Sequence, residues 1–225
     1  YETCIVPATG TIDIEIEGLE YKSLGKRTID VWDGEPEGVY VPTNIKATFT
    51  CKTDTSEIFV AGAKFEKTLE PFAVRSNELD IVQYGSDETK THRKIKHILG
   101  SKHHDKVGRL LCNELYTVGQ GGWSGFPPHK HDTDRLPKET RHDETYNYRF
   151  RPNHGFGFQL FQQVEETIGK AEQIIDGSTV MIEKGYHPCV VAPGYEMYYF
   201  TILGGLTQRS LIQFFQPEHA YQVET

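Results

Sequence analysis

The sequence predicts an all-β protein built from two barrel- or sandwich-like units. Short apolar runs recur at roughly 8–12-residue intervals, the spacing typical of such folds. In Thr11–Glu17 (TIDIEIE) isoleucine occupies every second position from Ile12 on, which indicates a half-buried strand. The 21 glycines and 11 prolines punctuate these runs and disfavour long helices. The segment Gln163–Gly169 is the one candidate for a short helix.

The first unit, residues 1–85, is predicted to be a structural domain. The chain has no histidine before His92, so this unit carries no metal motif. Residues 69–105 combine turn clusters with a basic run, and we expect a connector with one or two short strands and exposed histidines. The predicted strands of the first unit are Tyr1–Pro7, Thr11–Glu17, Lys26–Trp32, Gly38–Val41, Asn44–Cys51 and Glu57–Ala63.

The second unit, residues 86–225, contains the chemically informative motifs. An Asp-Gly pair at residues 176–177 separates two apolar runs and is the strongest hairpin signal in the chain. A polar insert, Thr133–Asp143, interrupts the strand pattern. The predicted strands of this unit are Arg109–Val118, Trp123–Lys130, Glu144–Phe150, Gly155–Gln163, Ala171–Ile175, Ser178–Ile182, Tyr195–Leu203 and Ser210–Phe215.

Charge and cysteine usage restrict the cellular setting. The net charge of −8 disfavours binding to nucleic acid. No apolar stretch approaches the roughly 20 residues of a membrane helix, and no secretory leader is visible. The cysteines, at positions 4, 51, 112 and 189, form no close pair. Because reduced thiols are typical of intracellular proteins, we expect a cytoplasmic protein without nucleic-acid or membrane partners.

Two histidines separated by one residue, His129 and His131, mark the candidate site. Residues i and i+2 of a strand point to one face, so both imidazoles can reach the same point. Glu144 opens the run ETYNYRF, whose alternating aromatic residues indicate an inward strand face; the rival carboxylate, Glu139, has no such pattern. His187, after a glycine turn, is a fourth candidate. Imidazoles with a carboxylate predict a divalent metal, Zn or Mn, with Fe also compatible.

The order HxH, Glu, Asp-Gly hairpin and GxH resembles the double motif of the cupins, and two barrel-like units in one chain suggest a double cupin. PPHKHD at Pro127–Asp132, the ETYNYRF run, and GYHP followed by APGY are similar to the 5-deoxy-glucuronate isomerases of myo-inositol catabolism. The resemblance extends to Asp33–Pro42 and so spans most of the chain. The long insert Thr133–Asp143 separates this family from the related 4-deoxy-5-threo-uronate isomerases. It could also form a loop over the pocket mouth.

This resemblance implies a fold, a reaction and a ligand set. The family's metal ligands fall on His129, His131, Glu144 and His187. The implied reaction is an aldose–ketose isomerisation of a deoxy-uronate, 5-deoxy-D-glucuronate to 5-dehydro-2-deoxy-D-gluconate, through a metal-stabilised ene-diolate. The family is longer at its N-terminus, so we expect a first barrel that lacks leading strands or is naturally reduced. A sugar acid is the expected partner, and a homo-oligomer is compatible with the family.

Residues for proton transfer and substrate binding are chosen by their proximity to the ligands. Proton transfer needs a general acid or base, and a sugar carboxylate needs a guanidinium or ammonium partner. A metal-dependent cupin oxygenase and a non-catalytic sugar-binding cupin are the alternative functions. The candidates for proton transfer are Tyr146, Tyr199 and His142, and those for substrate binding are Arg141, Lys184 and Tyr148.

Overall fold

The first third of the chain forms two antiparallel sheets. The computed structural model describes residues 1–224. The strands are β1 Glu2–Thr9, β2 Ile12–Ile16, β3 Leu19–Leu24, β4 Gly38–Val41, β5 Ala47–Cys51, β6 Glu57–Ala63 and β7 Phe72–Val74. One sheet has the strand order β6-β1-β4-β7 and the other β3-β2-β5.

The rest of the chain forms a six-stranded sheet, a four-stranded sheet and a two-stranded pair. Their orders are β16-β13-β18-β10-β9-β8, β11-β17-β14-β15 and β12-β19. Three short 3-10 helices occupy Ser76–Glu78, Ser101–His103 and Ala220–Glu224 within the described part of the chain. The strands are β8 Asp80–Tyr84, β9 Arg93–Leu99, β10 Leu110–Thr117, β11 Trp123–Ser124, β12 His129–Lys130, β13 His142–Arg151, β14 Phe156–Phe161, β15 Lys170–Ile175, β16 Thr179–Ile182, β17 Cys189–Val191, β18 Glu196–Gly205 and β19 Phe214–Phe215.

Three apolar cores hold these sheets together. One lies inside the first unit and is built from aliphatic side chains such as Ile14 and Leu24. A second lies between the six- and four-stranded sheets and includes Tyr148 and Val191. The third joins the two units, since it combines β1 with strands β10 and β18 of the six-stranded sheet. The two units therefore share a buried interface.

A buried ion pair reinforces this junction. Both terminal nitrogens of Arg27 lie 2.7 Å from the carboxylate oxygens of Glu114 on β10. The hydroxyl groups of Tyr116 and Tyr198 also donate hydrogen bonds to that carboxylate, each with an oxygen–oxygen distance of 2.9 Å. A bidentate, fully hydrogen-bonded pair of this kind compensates the cost of burying both charges far better than a single contact.

Most predicted strands are present, and the differences have local causes. The predicted strand Lys26–Trp32 is wrong: the Asp33 carboxylate accepts hydrogen bonds from the backbone of residues 28 and 29 and folds the segment into turns. Strands β2 and β3 are joined by a two-residue hairpin loop, in which Glu17 and Gly18 both have positive φ.

Several shorter expectations are corrected as well. Residues 163–169 contain no helix, and only Phe214 and Phe215 of the predicted strand Ser210–Phe215 are extended in a ladder. The predicted connector holds three strands, β7, β8 and β9. Strand β8 pairs with β9 and so already belongs to the six-stranded sheet of the second unit, although it ends before residue 85. The domain boundary at residue 85 stays a prediction. In the described residues, no helix combines the length and apolar character needed to cross a bilayer.

Candidate metal centre

Three buried histidines converge between the sheets of the second unit. His129 lies on β12, His131 follows that strand, and His187 precedes β17. Their exposed fractions are 7%, 3% and 0%. One nitrogen from each imidazole lies within 4.8 Å of one nitrogen from the others. The ring centroid of His187 is 5.0 Å from that of His129 and 4.9 Å from that of His131.

Backbone carbonyls fix the tautomer of all three rings. The Nδ1 of His129 lies 3.2 Å from the Pro127 oxygen, that of His131 3.0 Å from the His142 oxygen, and that of His187 2.8 Å from the Gly185 oxygen. A carbonyl can only accept, so each Nδ1 carries the proton. Each Nε2 of a neutral ring then carries the lone pair, as in proteins whose metal-bound histidines are oriented by a second hydrogen bond. The Nε2 of His129 accepts a 2.8 Å hydrogen bond from the side-chain amide of Gln213.

Glu144 completes the cluster from β13. Its Oε2 lies 2.9 Å from Nε2 of His131 and 3.3 Å from Nε2 of His187, and its Oε1 accepts a hydrogen bond of 2.8 Å from Thr201. The His187 contact is within ion-pair distance but lacks hydrogen-bond geometry, so this buried nitrogen has no hydrogen-bond partner among the described residues. Lone pairs of imidazoles facing a carboxylate repel unless a cation lies between them, and a divalent metal fits that requirement.

The electrostatics of the cluster are those of a cation site. Burial raises the pKa of Glu144, but the neighbouring imidazoles of His131 and His187 outweigh burial and lower it overall. Burial lowers the pKa of His131, and the Glu144 carboxylate reverses this into a net increase. Burial and the two neighbouring imidazoles hold the pKa of His129 well below its usual range. The carboxylate is therefore the stable anion around which positive charge collects.

The rival carboxylate, Glu139, is committed elsewhere. It is fully buried and pairs with Lys130 at 2.7 Å and with Arg135 at 2.7 Å. It also accepts hydrogen bonds from the backbone nitrogens of Asp132 and Thr133. Glu139 thus organises the loop that follows the two histidines instead of joining their cluster.

A cavity of about 540 Å³ opens beside the cluster. His129 and Glu144 line one end of it, and strands β8, β9, β10 and β18 supply much of the remaining wall. The insert Thr133–Asp143 does not line this cavity. It packs on the far side of β12, where the Arg135 guanidinium lies 4.1 Å from the ring centroid of Phe214.

Of the residues predicted to transfer protons, two line the cavity. Tyr146 and Tyr199 do so, and their ring centroids are 4.3 Å apart. Burial raises the pKa of both phenols, which keeps them protonated. His142 is not part of the lining: its Nε2 is hydrogen-bonded to the Arg209 carbonyl at 3.0 Å. Its contribution to the site is the backbone oxygen that orients His131.

The predicted substrate-binding residues lie away from the cavity. Arg141 and Lys184 are on the exposed surface, and the nearest acidic partner of Arg141 is Asp143 at 3.9 Å. Tyr148 is fully buried and donates to Gln159 over 2.5 Å. The loops that carry Arg141 and Lys184 expose both charged side chains to solvent. On β13, Tyr146 lines the cavity but Tyr148, two residues further along, does not.

Sequence reasoning missed the polar residues that the six-stranded sheet adds to the cavity beyond Glu144. Arg93, His97, Asn113 and Thr201 all line the cavity. The signal was present in β9, where Arg93, Ile95 and His97 alternate with lysines and therefore share one strand face. The turn clusters on either side of this strand concealed it.

Comparison with known proteins agrees with this architecture. The chain matches the KduI/IolB family over residues 1–222. A 5-deoxy-glucuronate isomerase from Geobacillus kaustophilus (strain HTA426) is 32% identical over 205 residues, which cover 91% of this chain and 72% of the relative. The protein of the same name from Lacticaseibacillus casei is 30% identical over 227 residues, covering 100% and 80%.

Solved structures show the same relationship. An IolB-like protein from Salmonella typhimurium LT2 has a TM-score of 0.88 at 26% identity, covering 98% of this chain and 81% of that one. Streptomyces albus HEPD, solved with 2-hydroxyethylphosphonate and Fe(II), has a TM-score of 0.59 at 7% identity, covering 100% and 64%, and shares the fold alone.

The fold is all-β with a double-cupin architecture, and the family and the relatives show that the chain is an isomerase, as the sequence predicted. The chain belongs to the KduI/IolB family. Its substrate is therefore a small molecule, and the three buried histidines could hold a metal.

Proposed function

We propose that this isomerase converts 5-deoxy-D-glucuronate to 5-dehydro-2-deoxy-D-gluconate, as a cytoplasmic step of myo-inositol catabolism. The observation that carries the proposal is the convergence of three Nε2 lone pairs and the Glu144 carboxylate at one end of a cavity of about 540 Å³. Support for the substrate comes from the name of the relatives. Four free cysteines are in keeping with a reducing compartment.

The metal would be held by His129, His131, His187 and Glu144. Neutral imidazoles and one carboxylate leave a divalent ion with a net charge near +1, and Zn or Mn accepts such a nitrogen and oxygen donor set, as does Fe. When bound, the ion supplies Lewis-acid chemistry that polarises the carbonyl of an aldose and its neighbouring hydroxyl. Thr201 holds the Glu144 carboxylate in place through Oε1.

Tyr146 is the residue best placed to donate a proton. Its side chain lines the cavity and lies on the same strand face as Glu144. Tyr199 is engaged with Ser124 at 2.7 Å, whereas no hydrogen bond to the Tyr146 hydroxyl is found among the described residues. Because burial keeps Tyr146 protonated, we assign it as the donor to a substrate oxygen during isomerisation.

The decisive experiment combines elemental analysis with an anaerobic isomerase assay. Protein purified without chelators should contain about one equivalent of Zn, Mn or Fe per chain and should isomerise 5-deoxy-glucuronate without O₂. Tyr146→Phe should reduce kcat by about 10²–10⁴-fold, the usual contribution of a positioned acid, with unchanged metal content. His104→Ala, at an exposed histidine, is the control.

The outcomes separate the alternatives. Metal-containing protein that leaves the uronate unchanged would reject the substrate, while turnover only in the presence of O₂ would indicate a cupin oxygenase. Protein without metal and without activity would support a sugar-binding role.

A further inference from the structure

Strand β9 presents alternate side chains to the cavity, in the same sheet as Glu144 but three strands away from it. Arg93 and His97 line the cavity. Lys94 lies on the other face of the strand and reaches Glu35 at 3.8 Å. The two neighbouring cations therefore lie on opposite faces of β9: Arg93 faces the cavity, and Lys94 faces Glu35 outside it.

The environment of Arg93 leaves most of its hydrogen-bonding capacity unused. One nitrogen donates to the Thr91 carbonyl over 3.0 Å, and the guanidinium lies 5.8 Å from the ring centroid of Tyr84. A guanidinium has five N–H donors. Among the side chains that the structure describes, those of residues 1–223, no carboxylate lies within ion-pair distance of it, and burial lowers the pKa of Arg93. In this part of the chain no anion neutralises the cation in the cavity.

A polar row connects Arg93's strand with the metal ligands. His97 is paired with Asn113, Asn113 with Thr201, and Thr201 with Tyr146 in successive strand registers. Strands β10 and β18 separate β9 from β13, so the two backbones are about 14 Å apart at the usual strand spacing. Side chains of β9 and β13 extend into the cavity. The space between them suits a substrate of several carbons that has one functional group at one end and a different group at the other.

We propose that Arg93 binds the carboxylate of the substrate, at the end remote from the carbonyl that is isomerised. This inference rests on the proposed function. Among the described cavity-lining residues Arg93 is the only lysine or arginine, and its planar fork matches a carboxylate in bidentate geometry. His97 lies four residues further along the same face of β9, with Nδ1 fixed by the Asn113 side chain at 2.7 Å, and offers Nε2 to a substrate hydroxyl. Arg93 then determines the preference for uronates over neutral sugars.

The test compares a charged and a neutral sugar on metal-loaded protein. In Arg93→Gln, kcat/KM for 5-deoxy-glucuronate should fall about 10–100-fold, as expected for the loss of a hydrogen-bonded charge, mainly through KM. Turnover of 5-deoxy-glucose, which lacks the carboxylate, should be unchanged, and so should metal content. Arg93→Lys should recover part of the loss. Lys94→Gln removes the same charge from the outer face and should leave both substrates unaffected.

Unchanged kcat/KM and unchanged preference for the uronate in Arg93→Gln would overturn the inference. Failure of the wild-type protein to isomerise 5-deoxy-glucuronate would instead reject the proposed function, and calorimetric binding of that sugar would then decide about Arg93. Binding that weakens in Arg93→Gln retains the assignment. Binding equal in both proteins, or undetectable in the wild type, rejects it.

Discussion

The interiors of the two β-units are filled differently. In the first unit the isoleucines of β2 pack against Leu24 and Val39, and Ile14 is only 1% exposed. In the second unit the sheets enclose a cavity of about 540 Å³ lined by a polar row and the cluster around Glu144. Antiparallel strands of similar length thus produce a solid core in one unit and a binding site in the other.

The difference teaches where stability and function are located. A cavity lined by polar groups lacks the apolar burial that stabilises a domain. The six-stranded sheet compensates through its other face, which packs against the first unit, and through the Arg27–Glu114 pair at the junction. The first unit, which has a solid core and is called the solid unit, therefore supports one wall of the second unit, which contains the cavity and is called the open unit. Two predictions test this division.

The largest effect is expected for His187→Ala in the open unit. Loss of one ligand should remove the metal and reduce kcat/KM by at least about 10³-fold, because a Lewis acid lowers the activation free energy by several kcal/mol. The measurements are metal stoichiometry and kcat/KM. In chelator, the variant should unfold at a lower temperature than the wild type, since removal of the fully buried ring leaves a cavity.

Adding zinc chloride should raise the unfolding temperature of the wild type only, because binding to the folded state stabilises it by mass action. Full metal content in His187→Ala would reject the four-ligand site.

Ile14→Ala in the solid unit should show the opposite pattern. Truncation of a fully buried aliphatic side chain costs about 2–5 kcal/mol of unfolding free energy, which denaturant titration measures. Metal stoichiometry should stay unchanged, as β2 does not line the cavity. Ile29→Ala, at a position that is 79% exposed, is the matched control and should change stability by less than about 0.5 kcal/mol. A loss of metal in Ile14→Ala would show that the two interiors are coupled.

The same contrast explains how much could be predicted from the sequence. In the first unit the alternation within Thr11–Glu17 predicts β2, and the strand Glu57–Ala63 is predicted with the bounds that the structure gives it. In the open unit the spacing of His129, His131 and Glu144, with a distant His187, was enough to predict side chains that the structure brings together. Their role as metal ligands remains a proposal.

The part of the cavity lined by β9 could not be predicted in this way. Arg93 and His97 belong to no motif, and their function depends on β9 lying next to β10, a pairing between segments that only tertiary structure shows. Arg141 and Lys184 are near the ligands in sequence, yet both side chains are exposed. Proximity along the chain is a poor guide here, because a barrel wall is assembled from distant strands.

The smallest effect is expected for Glu139→Gln, which tests whether the loop after the two histidines supports the site. Glu139 fixes Lys130 between the ligands, and Asp132 in the same loop accepts a 2.8 Å hydrogen bond from the Gly185 nitrogen, two residues before His187. Neutralising Glu139 weakens its pairing with Lys130 and should lower metal affinity by about 10–100-fold, as is usual for residues that orient ligands. Competition with a chromogenic chelator measures this affinity, and Glu165→Gln, at an exposed carboxylate, is the control. An affinity equal to that of the wild type would mean that the three fixed imidazole tautomers and Glu144 position the metal without help from this loop.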